Sequence, residues 1–193
     1  MKKDIILAGV GGQGILSIAA CIGLAALAEN LFLKQAEVHG MSQRGGAVQS
    51  HLRIASDPIA SDLIPEGKAD LIISVEPMES LRYLPMLHRN GWIISSMNPF
   101  VNIPDYPQVE VVLDEIWKQN RYITLDADAI AKECGSVKSA NIVVLGAASP
   151  FLDLKYETLQ NAVMQLFASK GDDIVELNLK ALQAGKEYAL KHS

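Results

Sequence analysis

Two glycine-bearing stretches near the start have the residue types and spacing to hold an anion: Gly9-Val10-Gly11-Gly12-Gln13-Gly14 and His39-Gly40-Met41-Ser42-Gln43-Arg44-Gly45-Gly46. Glycine lets backbone N–H groups approach a phosphate or carboxylate with no Cβ in the way. In the second stretch Ser42, Gln43 and Arg44 add a hydroxyl, an amide and a guanidinium between glycines, a set suited to an anionic ligand. The bland alternative is a solvated hairpin. In the first stretch Gly9, Gly11 and Gly14 match G-x-G-x-x-G, and the amide of Gln13 can donate to an anion or reach a neighbouring chain. Three readings stay open there: a nicotinamide or flavin cofactor, another phosphate or a partner's cofactor, or a structural turn.

The elements that must position these loops follow from periodicity. Residues 4–8 form a short apolar run, and residues 14–29 have helix length and are apolar nearly all round, as expected of a helix packed on a sheet and covered from outside. Residues 31–37 and 47–54 read as extended, so strands hold the second glycine loop. A dinucleotide fold would place an acid at the end of the second strand to grip a ribose. Glu29 lies at the end of the first helix and Glu37 runs straight into the second glycine loop, so neither suits, and the βαβ unit is broken. Residues 69–75 predict a buried strand, 77–88 a helix with Pro77 in its first turn, and 91–96 another strand. The proline-rich residues 97–108 read as a surface loop. Residues 109–113 and 122–125 precede helical patterns at 126–134, 139–148, 155–169 and 172–191. The expected architecture is α/β: an open, modified Rossmann-like sheet flanked by helices, a helix-rich C-terminal third, and one domain over residues 1–193.

Composition excludes several classes. The net charge of −5 opposes nucleic-acid binding, which needs a concentrated basic face. No apolar stretch reaches the length of a bilayer crossing, and the start does not read as a signal peptide, so a cytoplasmic protein is expected. Cys21 and Cys134 are too few for a disulfide framework or a cluster site. His39 and His51 lie near the second loop but lack a third ligand at metal spacing; His39 reads as a hydrogen-bonding residue that shapes the loop. His88 and His192 are assigned to helix ends. Asp126 or Asp128 should cap a helix, and Asn141 can cap a helix or contact a ligand, with capping plus an interface the favoured reading. Ser17 lacks a nucleophile elbow, and Met78, Met86 and Met164 read as core or interface.

The first loop with its Gln13, the block from Glu37 to Gly46, Ser50-His51-Leu52-Arg53-Ile54, residues 140–147 and residues 176–185 together make the chain resemble the gamma-type domain of the 2-oxoacid:ferredoxin oxidoreductases, most closely the indolepyruvate type. Pyruvate and ketoisovalerate enzymes carry related domains. The resemblance implies a subunit, inactive alone, of an oxygen-sensitive complex that oxidatively decarboxylates aryl 2-oxoacids to acyl-CoA and reduces ferredoxin. It implies thiamine diphosphate with Mg and [4Fe-4S] clusters on a large alpha subunit, and coenzyme A as co-substrate. It carries over Gly9, Gly11, Gly12, Gln13, Gly14, Ser42, Gln43, Arg44, Gly45, Gly46 and Asn141 as the residues facing coenzyme A phosphates, the thiamine cofactor or only the partner. No catalytic residue or metal ligand is expected in this chain, and an isolated chain is expected to pair with a second copy. A freestanding NAD-dependent dehydrogenase is the competing reading.

Overall fold

A computed structural model describes residues 1–39, 45–101 and 103–193. The chain begins with β1 (Lys2–Val10), passes the first glycine loop into α1 (Ile15–Ala28), and continues through β2 (Phe32–His39) and β3 (Ala47–Ala55). It proceeds through β4 (Ala69–Ser74), α2 (Pro77–Arg82), β5 (Leu87–Ser96), α3 (Val109–Trp117) and β6 (Tyr122–Leu125). Four helices complete it: α4 (Ala127–Cys134), α5 (Ala140–Ala148), α6 (Tyr156–Phe167) and α7 (Asp172–His192).

The strands form one mixed six-stranded sheet in the order β2-β3-β1-β4-β5-β6. β1, β4, β5 and β6 are parallel, whereas β3 runs antiparallel between β1 and β2. This insertion is what makes the Rossmann pattern a modified one. Two strand spacings separate β2 from β1, roughly 10 Å, so an acid at the end of β2 is not beside the first glycine loop. Glu29 serves elsewhere: its carboxylate accepts the Lys155 N–H at 2.8 Å and fixes the start of α6.

Alternation along the strands sorts the core into two faces. Ile5 and Leu7 of β1, with Leu71, Ile73, Ile94 and Ile123, pack under α1, α5, α6 and α7 in the main core. Ile6 and Ile72 turn the other way with Ile64, and Ile93 meets Leu113 and Ile116 of α3. On α1 the outside is covered in part only, since Leu16 and Leu27 remain exposed. α5 and α7 cross with their backbones in near contact, Gly146 facing the Leu182 carbonyl and Gly185 facing the Val143 carbonyl.

Three expectations need correction. The helix from Pro77 ends at Arg82, because Pro85 has no N–H and its ring clashes with the carbonyl of Leu81 in a continuing helix. β5 therefore starts at Leu87, and His88 lies in a strand, not at a helix end. Residues 109–117 form α3 instead of an extended segment. Val112, Leu113 and Ile116 lie on one helical face and are buried, and packing against α2 and β5 overrides the strand preference of the valines.

The connection at residues 56–68 is fastened by alternate residues of β3. Arg53 pairs with the fully buried Asp4 carboxylate at 2.7 and 3.1 Å and donates to the carbonyls of Ser61 and Leu63. His51, 8% exposed, accepts the Ile64 N–H on Nδ1 at 3.0 Å, which requires a ring unprotonated at that nitrogen. Burial holds the His51 pKa below its ordinary value, against an opposing pull from Asp62 and with a smaller push from Arg53. The stabilisation from the neutral ring is thus complete above the unfolded value of about 6.5 and is lost as pH falls through the lowered folded value. Stability should fall on acidification over that window. His51→Asn, which keeps an acceptor and cannot titrate, should flatten this part of the curve in urea titrations at pH 7.5 and 5.5; an equal slope in both proteins would remove His51 as its source.

Among the described residues no helix is long and apolar enough to cross a membrane.

Candidate functional site

β1 delivers the first glycine loop to the carboxyl end of the parallel strands, where open α/β sheets place their ligands. Gly14 opens α1 at φ 81°, a left-handed conformation costly for residues with a Cβ, and a Cβ there would lie 2.5 Å from the Asn141 amide nitrogen. Asn141, second residue of α5, donates from Nδ2 to the Gly14 carbonyl at 3.0 Å. The starts of α1 and α5 are thereby joined at one point.

Neither start has a side-chain cap or an acidic residue in its first turn. In α1 the first bonds run from the Ser17 and Ile18 N–H groups to the Gly14 carbonyl, so among the described residues the N–H groups of Ile15 and Leu16 have no partner at the positive end of the helix dipole. α5 differs, because its first residue, Ala140, donates to Val137 in the preceding 3-10 turn (Val137–Ser139).

Gln13 acts on its own loop. Its Oε1 accepts the Val10 N–H at 2.8 Å, and its Nε2 donates to the Val75 carbonyl at 3.4 Å, tying the loop to the end of β4. Its amide is used within the chain in this structure. Gly9 packs against Val75 and Ile15 with no room for a Cβ, so it serves packing. The Gly11 N–H donates to the Gly46 carbonyl at 2.8 Å, which joins the first glycine loop to the end of the second. Gly45 and Gly46 are thus at the site, whereas Ser42, Gln43 and Arg44 lie outside the described residues, as does the His39 side chain.

Two hollows flank the first loop. One, about 240 Å³, runs between Gly12 and Gln13 on one side and Asn98, Pro99 and Phe100 on the other, with Lys138 and Asn141 at its helical end. The second, about 310 Å³, lies between Gly11, Gly12 and Gly14, the first turn of α1 and Val48 of β3. The first has mixed chemistry: Val75, Val137 and Val144 are apolar, while Ser96, Asn98, Asp128 and Lys138 bring polar groups. Burial and the neighbouring Asp126 carboxylate push the Asp128 carboxyl above the usual range. Asp126 is the cap of α4, as expected for one of this pair; its Oδ1 accepts the Ala129 N–H at 2.9 Å.

Asn98, Pro99 and Phe100, from the stretch read in sequence as a surface loop, form one wall of this cleft. Asn98 donates to Asp126 at 2.8 Å and accepts the Asp128 N–H at 3.0 Å, so the loop is pinned to the start of α4. Glu76 is fully buried at the end of β4 and caps α2 by accepting the Glu79 N–H at 2.8 Å. The same carboxylate accepts the Phe100 N–H at 3.3 Å and the Tyr106 hydroxyl. Burial raises the Glu76 pKa while these bonds oppose the rise, and burial and the Glu76 charge push up the Tyr106 hydroxyl. Sequence reasoning missed Glu76, Asn98, Tyr106 and Lys138. Glu76-Pro77 was the available signal, an acceptor directly before a proline in a first helical turn.

Large apolar side chains are exposed near the site: Leu16, Phe100 and Val137 line the two hollows, and Val38 near the end of β2 and Val101 and Ile103 beyond Phe100 are exposed as well. Exposed apolar side chains that form a contiguous patch are typical of interaction surfaces.

A family model described as Pyruvate ferredoxin/flavodoxin oxidoreductase matches residues 4–188. The chain is 37% identical to Indolepyruvate oxidoreductase subunit IorB of Archaeoglobus fulgidus, over 98% of this chain and 96% of that one. All of it superposes, with a TM-score of 0.81 and 22% identity, on a 2-oxoglutarate:ferredoxin oxidoreductase from Magnetococcus marinus, of which it spans 32%, about a third of that longer chain. It also matches the gamma subunit of a keto/oxoacid ferredoxin oxidoreductase from Geobacter sulfurreducens, with a TM-score of 0.69 and 24% identity, over 98% of this chain and 99% of that one. With the family pattern matched over nearly its whole length and a full-length relative at this identity, the chain belongs to the pyruvate ferredoxin/flavodoxin oxidoreductase family, as a subunit of the 2-oxoacid:ferredoxin oxidoreductase kind.

Proposed function

We propose that this chain is the small subunit of an indolepyruvate-type oxidoreductase, a cytoplasmic complex that converts indolepyruvate and related aryl 2-oxoacids with coenzyme A to acyl-CoA and carbon dioxide and reduces ferredoxin. It acts as one unit over residues 1–193 and does no chemistry alone. The observation that carries this reading is the cleft at the Gly14–Asn141 junction. At about 240 Å³ it is below the roughly 300–1,000 Å³ of a site that encloses a whole small ligand, and its rim is apolar and uncovered. A site of this kind holds one anionic end of a ligand whose remainder lies against another polypeptide. Coenzyme A supplies such an end in its phosphates, with Lys138 in this cleft, the α1 amides beside the neighbouring hollow across the first glycine loop, and the second glycine loop, including Ser42, Gln43 and Arg44, as the groups to receive it.

The chain's thiols do not suit the iron–sulfur clusters of such a complex. A [4Fe-4S] cluster takes four thiolates and the sequence has two cysteines, of which Cys21 is buried with its thiol pushed up to about 12. The clusters are therefore assigned to the large alpha subunit, which also passes electrons to ferredoxin, and thiamine diphosphate with Mg is assigned to it as the family resemblance implies. Without that partner the apolar rim is open, and the isolated chain pairs with a second copy.

The competing dehydrogenase reading is disfavoured by β3, which separates β2 and its acid from the first glycine loop. The test is anaerobic co-expression with the large subunit and assay of coenzyme A-dependent viologen reduction. Indolepyruvate should be used in preference to pyruvate, the chain alone should be inactive, and Arg44→Ala should raise the KM for coenzyme A. Saturable enhancement of NADH fluorescence by the isolated chain would instead favour the dehydrogenase.

A further inference from the structure

The buried carboxylate of Glu76 has no role in the reading above, yet three N–H or O–H donors from separate segments converge on it. Oε2 is committed to the Glu79 N–H at the start of α2. Oε1 alone takes both the Phe100 N–H and the Tyr106 hydroxyl. The nearby cation, Arg82, is bound in bidentate fashion to Glu79 at 2.9 and 3.1 Å, so Glu76 is held by hydrogen bonds. A buried carboxylate is costly unless its bonds are satisfied, so losing one of these donors is felt by all the segments it joins.

Those segments bracket the cleft. Val75, directly before Glu76, lines the cleft and receives the Gln13 amide, which connects the carboxylate through two residues to the first glycine loop. Phe100 lines it from the opposite wall. At the other end of this wall Asn98 is fixed independently, by Asp126, the Asp128 N–H and the Ser96 hydroxyl. Phe100 therefore sits between two anchors, one polar and exposed at α4, the other buried at Glu76. Among the described residues, the Glu76 carboxylate is the partner of the Phe100 N–H.

We propose that Glu76 is a positioning residue of the cleft: by accepting the Phe100 N–H and the Tyr106 hydroxyl it sets the distance between the Pro99–Phe100 wall and the Gly12–Gln13 loop, and so selects the width of the organic group admitted beside the anion. The proposal rests on the reading that this cleft receives one end of coenzyme A. The side chain of Glu76 acts through Phe100 and never touches the ligand. Held in place, this wall favours an unbranched, slender chain next to the phosphate, which Pro99, Phe100 and Val137 can contact along its apolar length.

Tyr106→Phe removes one donor and no carbon atom, and Glu76→Gln keeps an acceptor at Oε1 while placing an N–H₂ at the second position. Both are made in the full chain and assayed in the complex with its large subunit, with amide hydrogen exchange followed over residues 97–101. The expected result is at least tenfold faster exchange at Phe100 in Tyr106→Phe. The KM for coenzyme A should rise about fivefold, by more than kcat falls at saturating coenzyme A. Glu76→Gln should be milder than Glu76→Ala. Unchanged exchange at Phe100, or faster exchange with an unchanged KM for coenzyme A, overturns the proposal. The underlying site reading fails separately: in that case a charge placed in the cleft at Asn141 leaves the KM for coenzyme A unaltered, whatever Phe100 does.

Discussion

Gly185→Ala is expected to lower the melting temperature of this protein, although alanine is the better helix former by about 0.8–1.0 kcal/mol in a helix interior. Gly185 lies inside the 21-residue α7, where propensity alone would make the substitution stabilising. A Cβ built there meets the Val143 carbonyl oxygen at 1.9 Å and the Ala147 nitrogen at 2.9 Å, and these are backbone atoms that cannot rotate away. The facing residue is under the same constraint, since a Cβ on Gly146 would lie 2.1 Å from the Leu182 carbonyl oxygen. α5 and α7 must then separate, and separation opens voids among Val143, Val144, Ala147, Ala181 and Leu182, all fully buried. Overpacking of this kind costs about 1–3 kcal/mol and occasionally more, and backbone contact places this case at about 3 kcal/mol. At 2–4 °C per kcal/mol for a chain of this size the fall is about 6–12 °C by calorimetry. A melting temperature that rises would show that the two helices do not touch at this point. Because α5 also carries Asn141, the variant should bind its partner or ligand less well even at temperatures where it stays folded.

Asn141→Asp separates fold from function. The side chain keeps its size, but a carboxylate replaces the amide that donates to the Gly14 carbonyl, so acceptor faces acceptor. The lost hydrogen bond and the repulsion oppose a gain, since a negative charge in the first turn of α5, which has none, favours the helix dipole by about 0.3–1 kcal/mol. The melting temperature should therefore move by only a few degrees. In the complex the same charge lies in the cleft where an anion is proposed to sit, and the KM for coenzyme A should rise tenfold or more, with a smaller rise at high ionic strength. Asn141→Ala removes the bond without adding charge and should raise that KM less. If the aspartate and alanine variants show the same KM as the native chain, the cleft does not receive an anion.

Much of the strand and helix pattern was legible because periodicity and glycine punctuation report local structure. β1, the glycine loop and α1 follow from an apolar run, a turn and a helix-length segment in immediate succession, and the break in the βαβ unit is visible in Glu37 running into the second loop. Where local signals conflicted, tertiary packing decided. The valines of 109–113 read as extended but lie in α3, because one helical face of that segment meets α2 and β5. His51 lies in a strand next to a loop rich in possible ligands, yet its ring is committed to the Ile64 N–H on the far face of the sheet.

The candidate site divides in the same manner. The residues of the first loop were identifiable from spacing, and Asn141 from a resemblance that spans the chain. The far wall was not, because Glu76, Asn98 and Tyr106 are ordinary residues in sequence: Glu76 and Tyr106 acquire their roles only when three segments meet around one carboxylate, and Asn98 only when its loop meets the start of α4. By itself the sequence determined the element types near the glycine loops, the family, and the lack of enough thiolates for a cluster, since each depends on residue identity and short-range order. Only the tertiary structure decided that β3 lies between β1 and β2, that α5 meets α1 at Gly14, and that a buried acid holds the cleft wall. These are contacts between residues far apart in the chain, set by which faces pack together, and no local pattern encodes them.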